Sequence, residues 1–299
     1  MARDYAIYDV FTGTQLAGNP LAVVFDGEGL SDSRMQAIAG EFNLSETVFV
    51  RPPDNPAHTA NLRIFTPGRE LPFAGHPTVG AAVALAERQH GEGQLDLVSV
   101  LEEKVGPVRC AVRLGKGAAN FAEFDLPRMS ERMEVTLDAQ AVADALCISA
   151  ADIGFENHAV STWNAGVPYV LVPVRDLAVA ASIRFDPPRW FASAAGKMSA
   201  YIYCRGGVDH LASFHARMFA PDLGISEDPA TGSAVAALSG AIRHFDALAP
   251  GHHALVIEQG VEMGRPSQIH LHIESGAKGI DHARIGGQAV KIAEGRILL

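Results

Sequence analysis

Two stretches of the chain are apolar almost without interruption, and each opens on a polar residue followed by proline. The first is Gly75-His76-Pro77-Thr78-Val79-Gly80-Ala81-Ala82-Val83-Ala84, continuing through Leu85-Ala86. The second is Glu227-Asp228-Pro229-Ala230-Thr231-Gly232-Ser233-Ala234-Val235-Ala236, continuing through Ala237-Leu238. Aligned on proline, they share Pro-x-x-Gly-x-Ala-Val-Ala. The pattern predicts two helices that are apolar all round and therefore buried. His76 and Asp228 stand where an N-cap is expected, and proline suits the first helical position. A buried helix whose polar start faces a cavity can hold an anion, because its free N–H groups and positive dipole end point outward.

Around these helices the chain reads mostly as strands. Tyr5–Phe11 and Leu21–Phe25 are expected strands joined through Ala17-Gly18-Asn19-Pro20. Asp32 is the expected cap of a helix over Met35–Phe42. Strands are expected at Leu44–Val50 and Ala60–Phe65, then at Leu95–Leu101, Val108–Leu114 and Asn120–Leu126, with Gly115-Lys116-Gly117 between the last two. A helix at Ala139–Leu146 precedes a strand-rich stretch. Strands at Ser199–Cys204 and Leu211–Phe219 lead to the second buried helix, and Leu255–Gln259, Ile269–Ile273, Ala283–Ile285 and Gln288–Ile292 close the chain. Ala165-Gly166-Val167-Pro168 before Tyr169–Val172 repeats the Ala17-Gly18-Asn19-Pro20 entrance, at nearly the offset that separates the two proline-helix motifs. Two landmarks at one offset predict an internal duplication. Each half is then an α+β unit built around one buried helix, and the cleft between two related halves is the expected ligand site.

Composition narrows the possible partners. The 299 residues suit two lobes, with 48% hydrophobic residues to fill their cores. A formal net charge of −10 argues against nucleic acid and anionic membrane surfaces. Cys110, Cys147 and Cys204 are odd in number and widely spaced, as in a reducing compartment, and no metal spacing is evident. No signal-peptide h-region and no membrane-spanning run is present, so the expectation is a cytoplasmic protein. His252-His253 and His270-Leu271-His272 lack a third ligand at useful spacing and read as surface histidines, so no metal is expected. Trp163 and Trp190 read as packing or interface residues.

Three motifs carry a resemblance. Asn43-Leu44-Ser45-Glu46-Thr47-Val48-Phe49, Phe73-Ala74-Gly75-His76-Pro77-Thr78-Val79-Gly80 and Asp228-Pro229-Ala230-Thr231-Gly232-Ser233-Ala234 are similar to signatures of the phenazine-biosynthesis PhzF-like family. Tyr8-Asp9-Val10-Phe11, Gly18-Asn19-Pro20, Gln259-Gly260 and Gly264-Arg265-Pro266-Ser267 extend the resemblance over nearly the whole chain. It implies the diaminopimelate-epimerase fold: two pseudo-symmetric lobes, each a curled, barrel-like mixed sheet around a central helix. The expected lobes are 1–118, completed by a C-terminal strand over about 287–299, and 119–286. Pro127 is the alternative point at which the first lobe ends.

The resemblance further implies a cofactor-independent isomerase acting on a small carboxylate. Glu46 matches the family's proton-carrying glutamate, and His76, Asp228 and Ser233 match its other polar active-site positions. Asn19, Gly75, Gly80, Thr231 and Gly232 are the expected substrate contacts. A carboxylate in a closed apolar cleft has its pKa raised toward neutrality, so it can take a proton and return it. Each residue also has a plainer reading. Glu46 suits a solvated strand, Asp228 an ordinary helix cap, Ser233 first-turn packing, Asn19 a turn, and Gly80 and Gly232 close backbone approach. The epimerase relatives use two cysteines, and neither helix start here contains one. The alternatives are an epimerase or lyase working through the same carbanion, or a small-ligand-binding protein without turnover. A homodimer is the expected assembly.

Overall fold

The computed structural model describes residues 2–91, 93–116, 119–193 and 195–299. Gly117 and Ala118, at the end of one expected turn and at the expected lobe boundary, lie outside the described residues. The chain folds into two compact units, Met1–Pro127 with Ile285–Leu299, and Arg128–Arg284.

The first unit contains β1 (Ala2–Val10), β2 (Asn19–Val24), α1 (Asp32–Phe42), β3 (Glu46–Arg51), β4 (Ala60–Phe65), β5 (Glu70–Leu71), α2 (Gly75–His90), β6 (Leu95–Glu103), β7 (Gly106–Leu114) and β8 (Asn120–Asp125). Its sheet runs β1-β2-β3-β4-β6-β7-β8, with β2–β3 and β4–β6 parallel and the other pairs antiparallel. The final strand, β17 (Ile280–Leu298), pairs with both β8 and β1, so this mixed sheet closes into a barrel. Helix α2 packs against β1, β2, β3, β6, β7 and β8, which explains a sequence without a polar face. Its small residues let it fit: Ala81, Ala82, Val83 and Ala84 are wholly buried. A Cβ on Gly80 would stand 2.5 Å from Leu21 Cδ2 and 2.8 Å from Val10 Cγ2, so only glycine lets β1 and β2 close over the helix there. Helix α1 covers β3 and β4 from outside through Met35, Ile38 and Ala39, which join Phe49 and Phe65 in a small apolar cluster.

The second unit contains β9 (Glu131–Met133), α3 (Ala139–Leu146), β10 (Ser161–Asn164), β11 (Pro168–Pro173), α4 (Leu177–Ser182), α5 (Pro187–Ala192), β12 (Ser199–Arg205), β13 (Phe214–Ala220), β14 (Ile225–Asp228), α6 (Gly232–Phe245), β15 (Gly251–Gln259) and β16 (Ser267–Ser275). Strands pair in the order β9-β10-β11-β12-β13-β15-β16, with β14 beside the far half of β13. Helix α6 packs on β9, β10, β11 and β16, as α2 packs on its own sheet. A second apolar cluster gathers α3, α4 and α5 around Trp190, whose indole N–H donates to Met198 O at 2.8 Å. Trp163 is likewise buried and donates to Ser161 Oγ at 2.9 Å. Both tryptophans are packing residues.

The architecture is α+β, with a barrel-like mixed sheet and few helices, as expected. Several details differ from the sequence reading. Ser31, not Asp32, caps α1, because its Oγ accepts the Arg34 N–H. Ala74 and Thr231 occupy the N-cap positions of α2 and α6. His76 is therefore inside the first turn of α2, and Asp228 ends a strand three residues before the α6 cap. Pro77 sits at the third helical position, which has no intrahelical acceptor and tolerates proline. Helices α4 and α5 lie in the stretch expected to be strand-rich; each is capped by an aspartate, Asp176 and Asp186. The last two expected strands are a single strand, β17.

Candidate active site

In the first unit the fold brings Glu46 and His76 together. Glu46 opens β3 beside Leu21 of β2, and His76 projects from the first turn of α2. Glu46 Oε2 and His76 Nε2 are 3.4 Å apart, with 11% and 5% of the side chains exposed. Burial pushes the His76 pKa down to about 3, so the imidazole is neutral at neutral pH. The contact has the geometry of an ion pair but not its charges: a carboxyl oxygen faces an uncharged ring nitrogen. Asn19, wholly buried, opens the neighbouring strand opposite Val10. Gly75 is the first residue of α2 and is buried. Gly80 lies against Val10 and Leu21.

In the second unit the fold brings Asp228 to Thr231, whose hydroxyl donates to Asp228 Oδ2. Gln259, at the end of β15, ties the pair in place. Its Nε2 donates to Asp228 O at 2.7 Å and to Thr231 Oγ1 at 3.0 Å. Its Oε1 accepts from Thr231 N and from Tyr201 OH, both at 3.2 Å. Gly260 follows with φ +79, and a Cβ there would stand 2.5 Å from Arg265 O and 2.6 Å from Pro229 O. Ser233, in the first turn of α6, has its Oγ 2.7 Å from the hydroxyl of Tyr169 in β11. Gly232 starts α6. Neither α2 nor α6 has an acidic residue in its first turn, so neither positive helix end is compensated from within the helix.

Tyr169 and Tyr201 have no role among the sequence expectations, where Gln259 figures only within a motif. Polar residues in otherwise apolar strands were the available signal. A charged support next to Gln259 is likewise absent from those expectations. His215 lies between Glu258 Oε2 at 2.6 Å and Glu262 Oε1 at 2.9 Å. Burial opposes a charge on His215, but hydrogen bonds to the two carboxylates outweigh it and lift its pKa to about 9. A raised pKa contributes stability that is complete below the unfolded value of about 6.5 and is lost as pH rises through about 9. The expected contribution is about 3 kcal/mol. Urea midpoints of the wild type should therefore fall between pH 6 and 9.5. His215→Gln should be less stable at pH 6 and lose less across that range; an equal loss in both proteins would reject the charged triad.

Among the described residues, Glu156, His158 and Asp246 form a group with metal-ligand spacing. The Arg205 guanidinium bridges Glu156 and Asp246 there, at 2.6 and 2.7 Å, so the cluster already holds a cation of its own. His252 and His272 stack on the β15–β16 hairpin, and His252 Nδ1 meets Glu274 at 2.7 Å. The three cysteines are free: Cys110 and Cys204 are buried in β7 and β12, and Cys147 is exposed after α3. No helix among the described residues is long and apolar enough to cross a membrane.

The family model described as phenazine biosynthesis-like protein matches residues 8–295. The chain belongs to that family. An uncharacterized isomerase of Mesorhizobium japonicum is 54% identical to this chain, with 99% of each covered. A trans-2,3-dihydro-3-hydroxyanthranilate isomerase of Pseudomonas chlororaphis is 32% identical, again with 99% of each covered. The crystal structure of a Bacillus anthracis phenazine biosynthesis protein superposes with a TM-score of 0.90 over the whole of both chains at 24% identity, which establishes the shared fold.

Proposed function

We propose that the protein is a cofactor-independent isomerase that moves a proton between two carbons of a small carboxylate, with Glu46 carrying the proton. The observation that carries this reading is the buried Glu46–His76 contact with its imidazole uncharged. A protonated histidine would hold Glu46 in an ion pair and oppose its protonation. A neutral one leaves the carboxylate able to accept a proton and give it back. The two relatives are named isomerases, and the name of one specifies a hydroxyanthranilate, an aromatic-ring carboxylate partly reduced.

In the first step the Glu46 carboxylate takes a proton from carbon. The C–H electron pair passes into the conjugated system attached to that carbon. In the second step the Glu46 carboxyl returns the proton to a different carbon, and the double bond shifts. Atoms and electrons balance without an oxidant or reductant. The neutral His76 has one N–H, and its part is to stabilise negative charge as it develops, without the charge of an imidazolium. Asp228, Thr231 and Ser233 serve the polar groups of the substrate, and Asn19 lines the Glu46 side.

Incubation with trans-2,3-dihydro-3-hydroxyanthranilate, followed by proton NMR, tests the reading. A product with a displaced double bond supports it. Inversion at a stereocentre without that displacement would make the enzyme an epimerase, and an unchanged compound would reject this substrate class. Ser233→Ala should raise KM about tenfold with little change in kcat, corresponding to one hydrogen bond to a charged group, about 1.5 kcal/mol. A fall confined to kcat would move Ser233 from binding to the chemical step.

A further inference from the structure

Glu103 ends β6 and is 7% exposed. Its position beneath the first turn of α2 has no part in the mechanism above. The Thr78 hydroxyl of α2 contacts it, and the buried Cys110 thiol of β7 is near enough to feel its charge. The next residue, Lys104, pairs with Glu70 instead. Among the described residues no cation is paired with Glu103.

The hydrogen bonds there require a proton on the carboxyl. Thr78 Oγ1 is 2.7 Å from Ala74 O and 2.7 Å from Glu103 Oε1. A hydroxyl has one proton to donate. The Ala74 carbonyl only accepts, and an ionised Glu103 would also only accept, so one of these short contacts would set two lone pairs against each other. A protonated Glu103 removes the conflict: it donates to Thr78, and Thr78 donates to Ala74. The other carboxyl oxygen, Oε2, is buried with no hydrogen-bond partner among the described residues. That position is tolerable for a neutral acid and costly for a charged one.

We propose that Glu103 is a positioning residue, protonated in the working protein, that fastens the first turn of α2 and with it His76. Ala74 has no side-chain cap bond, so the Glu103–Thr78–Ala74 chain is the tie observed at this helix start. His76 lies two residues from Thr78. The functional weight of the proposal rests on the reading of His76 as a site residue. Burial also raises the Glu103 pKa to about 8. With a raised pKa, the stabilising effect is complete below about 4.5 and is lost as pH rises through about 8. Ionisation then breaks the tie.

The test is a titration of the full chain carrying carbon-13 in its glutamate carboxyls, from pH 5.5 to 9.5, with Glu103 assigned from Glu103→Gln. The Glu103 signal should stay at the protonated position at pH 7 and move with a midpoint near 8. The His76 ring resonances should shift with the same midpoint, since His76 itself titrates near 3 and is silent in this window. In Glu103→Gln, whose amide still donates to Thr78, the His76 resonances should hold their low-pH positions throughout. In Glu103→Ala they should be displaced even at pH 6. A Glu103 signal already ionised at pH 7 would overturn the proposal, and so would His76 resonances that ignore the Glu103 titration. Neither measurement uses turnover, so a failed isomerase assay and a failed Glu103 assignment give separate answers.

Discussion

Glu46→Gln is expected to lower kcat by about a thousandfold, the middle of the range for losing a general acid–base group. The amide has the shape of the carboxyl but cannot take a proton from carbon. Its N–H₂ would face His76 Nε2 across the same 3.4 Å gap, where a neutral imidazole nitrogen can accept. The fold should therefore survive, with an unchanged urea midpoint near pH 7 and a KM within a few-fold of wild type. Retained turnover would remove Glu46 from the chemistry. A collapse in stability would show instead that the Glu46–His76 contact is chiefly structural.

Gln259→Leu carries the second large expectation, in stability and in KM together. Leucine matches much of the volume but makes none of the bonds. It leaves Asp228 O, Thr231 N and the Tyr201 hydroxyl without their glutamine partner, all in surroundings where Gln259 itself is wholly buried. A buried group stripped of its partner costs about 1–3 kcal/mol, and such costs do not simply add. A loss of about 3 kcal/mol or more is expected, read from urea unfolding. Asp228 and Thr231 would lose their fixed relation, so KM should rise even at temperatures where the variant is folded. Gln259→Glu separates the two effects: it can still accept from Thr231 N and Tyr201 OH but cannot donate to Asp228 O. If Gln259→Leu were as stable as wild type, the network would carry no weight.

The two central helices were legible because both lack a polar face, and a helix can do so only inside a protein. The exact helix starts were not. Aligning the two prolines puts them in one register, yet α2 begins two residues before Pro77 and α6 begins three after Pro229. In the second copy Thr231 takes the cap, and its hydroxyl is engaged by Asp228, a contact that a sequence pattern does not reveal. Helices α4 and α5 are too short, at six residues each, to show a helical period. The break expected within β17 falls at Gly286 and Gly287. At Gly286 the glycine instead permits a close strand approach, since a Cβ would stand 2.6 Å from Glu123 Cβ and 2.7 Å from Ala122 O.

The polar residues divided along the same line. Glu46, His76, Asp228 and Ser233 stood out because motifs marked them. Glu103 did not, since its significance depends on Thr78, which lies in a different element and meets it only through the closure of the sheet around α2. His215 gains its charge from Glu258 and Glu262, more than forty positions away, and composition alone gives no reason to single it out.

The most direct test of the central claim is hydrogen exchange at carbon in D2O. A panel of small cyclic and acyclic carboxylates, including trans-2,3-dihydro-3-hydroxyanthranilate, would be incubated with wild type and with Glu46→Gln and read by mass spectrometry. Deuterium entering one compound with wild type alone is the predicted result, and it would place Glu46 on the path of the proton. Equal labelling by both proteins, or no labelling of any compound by wild type, would contradict it.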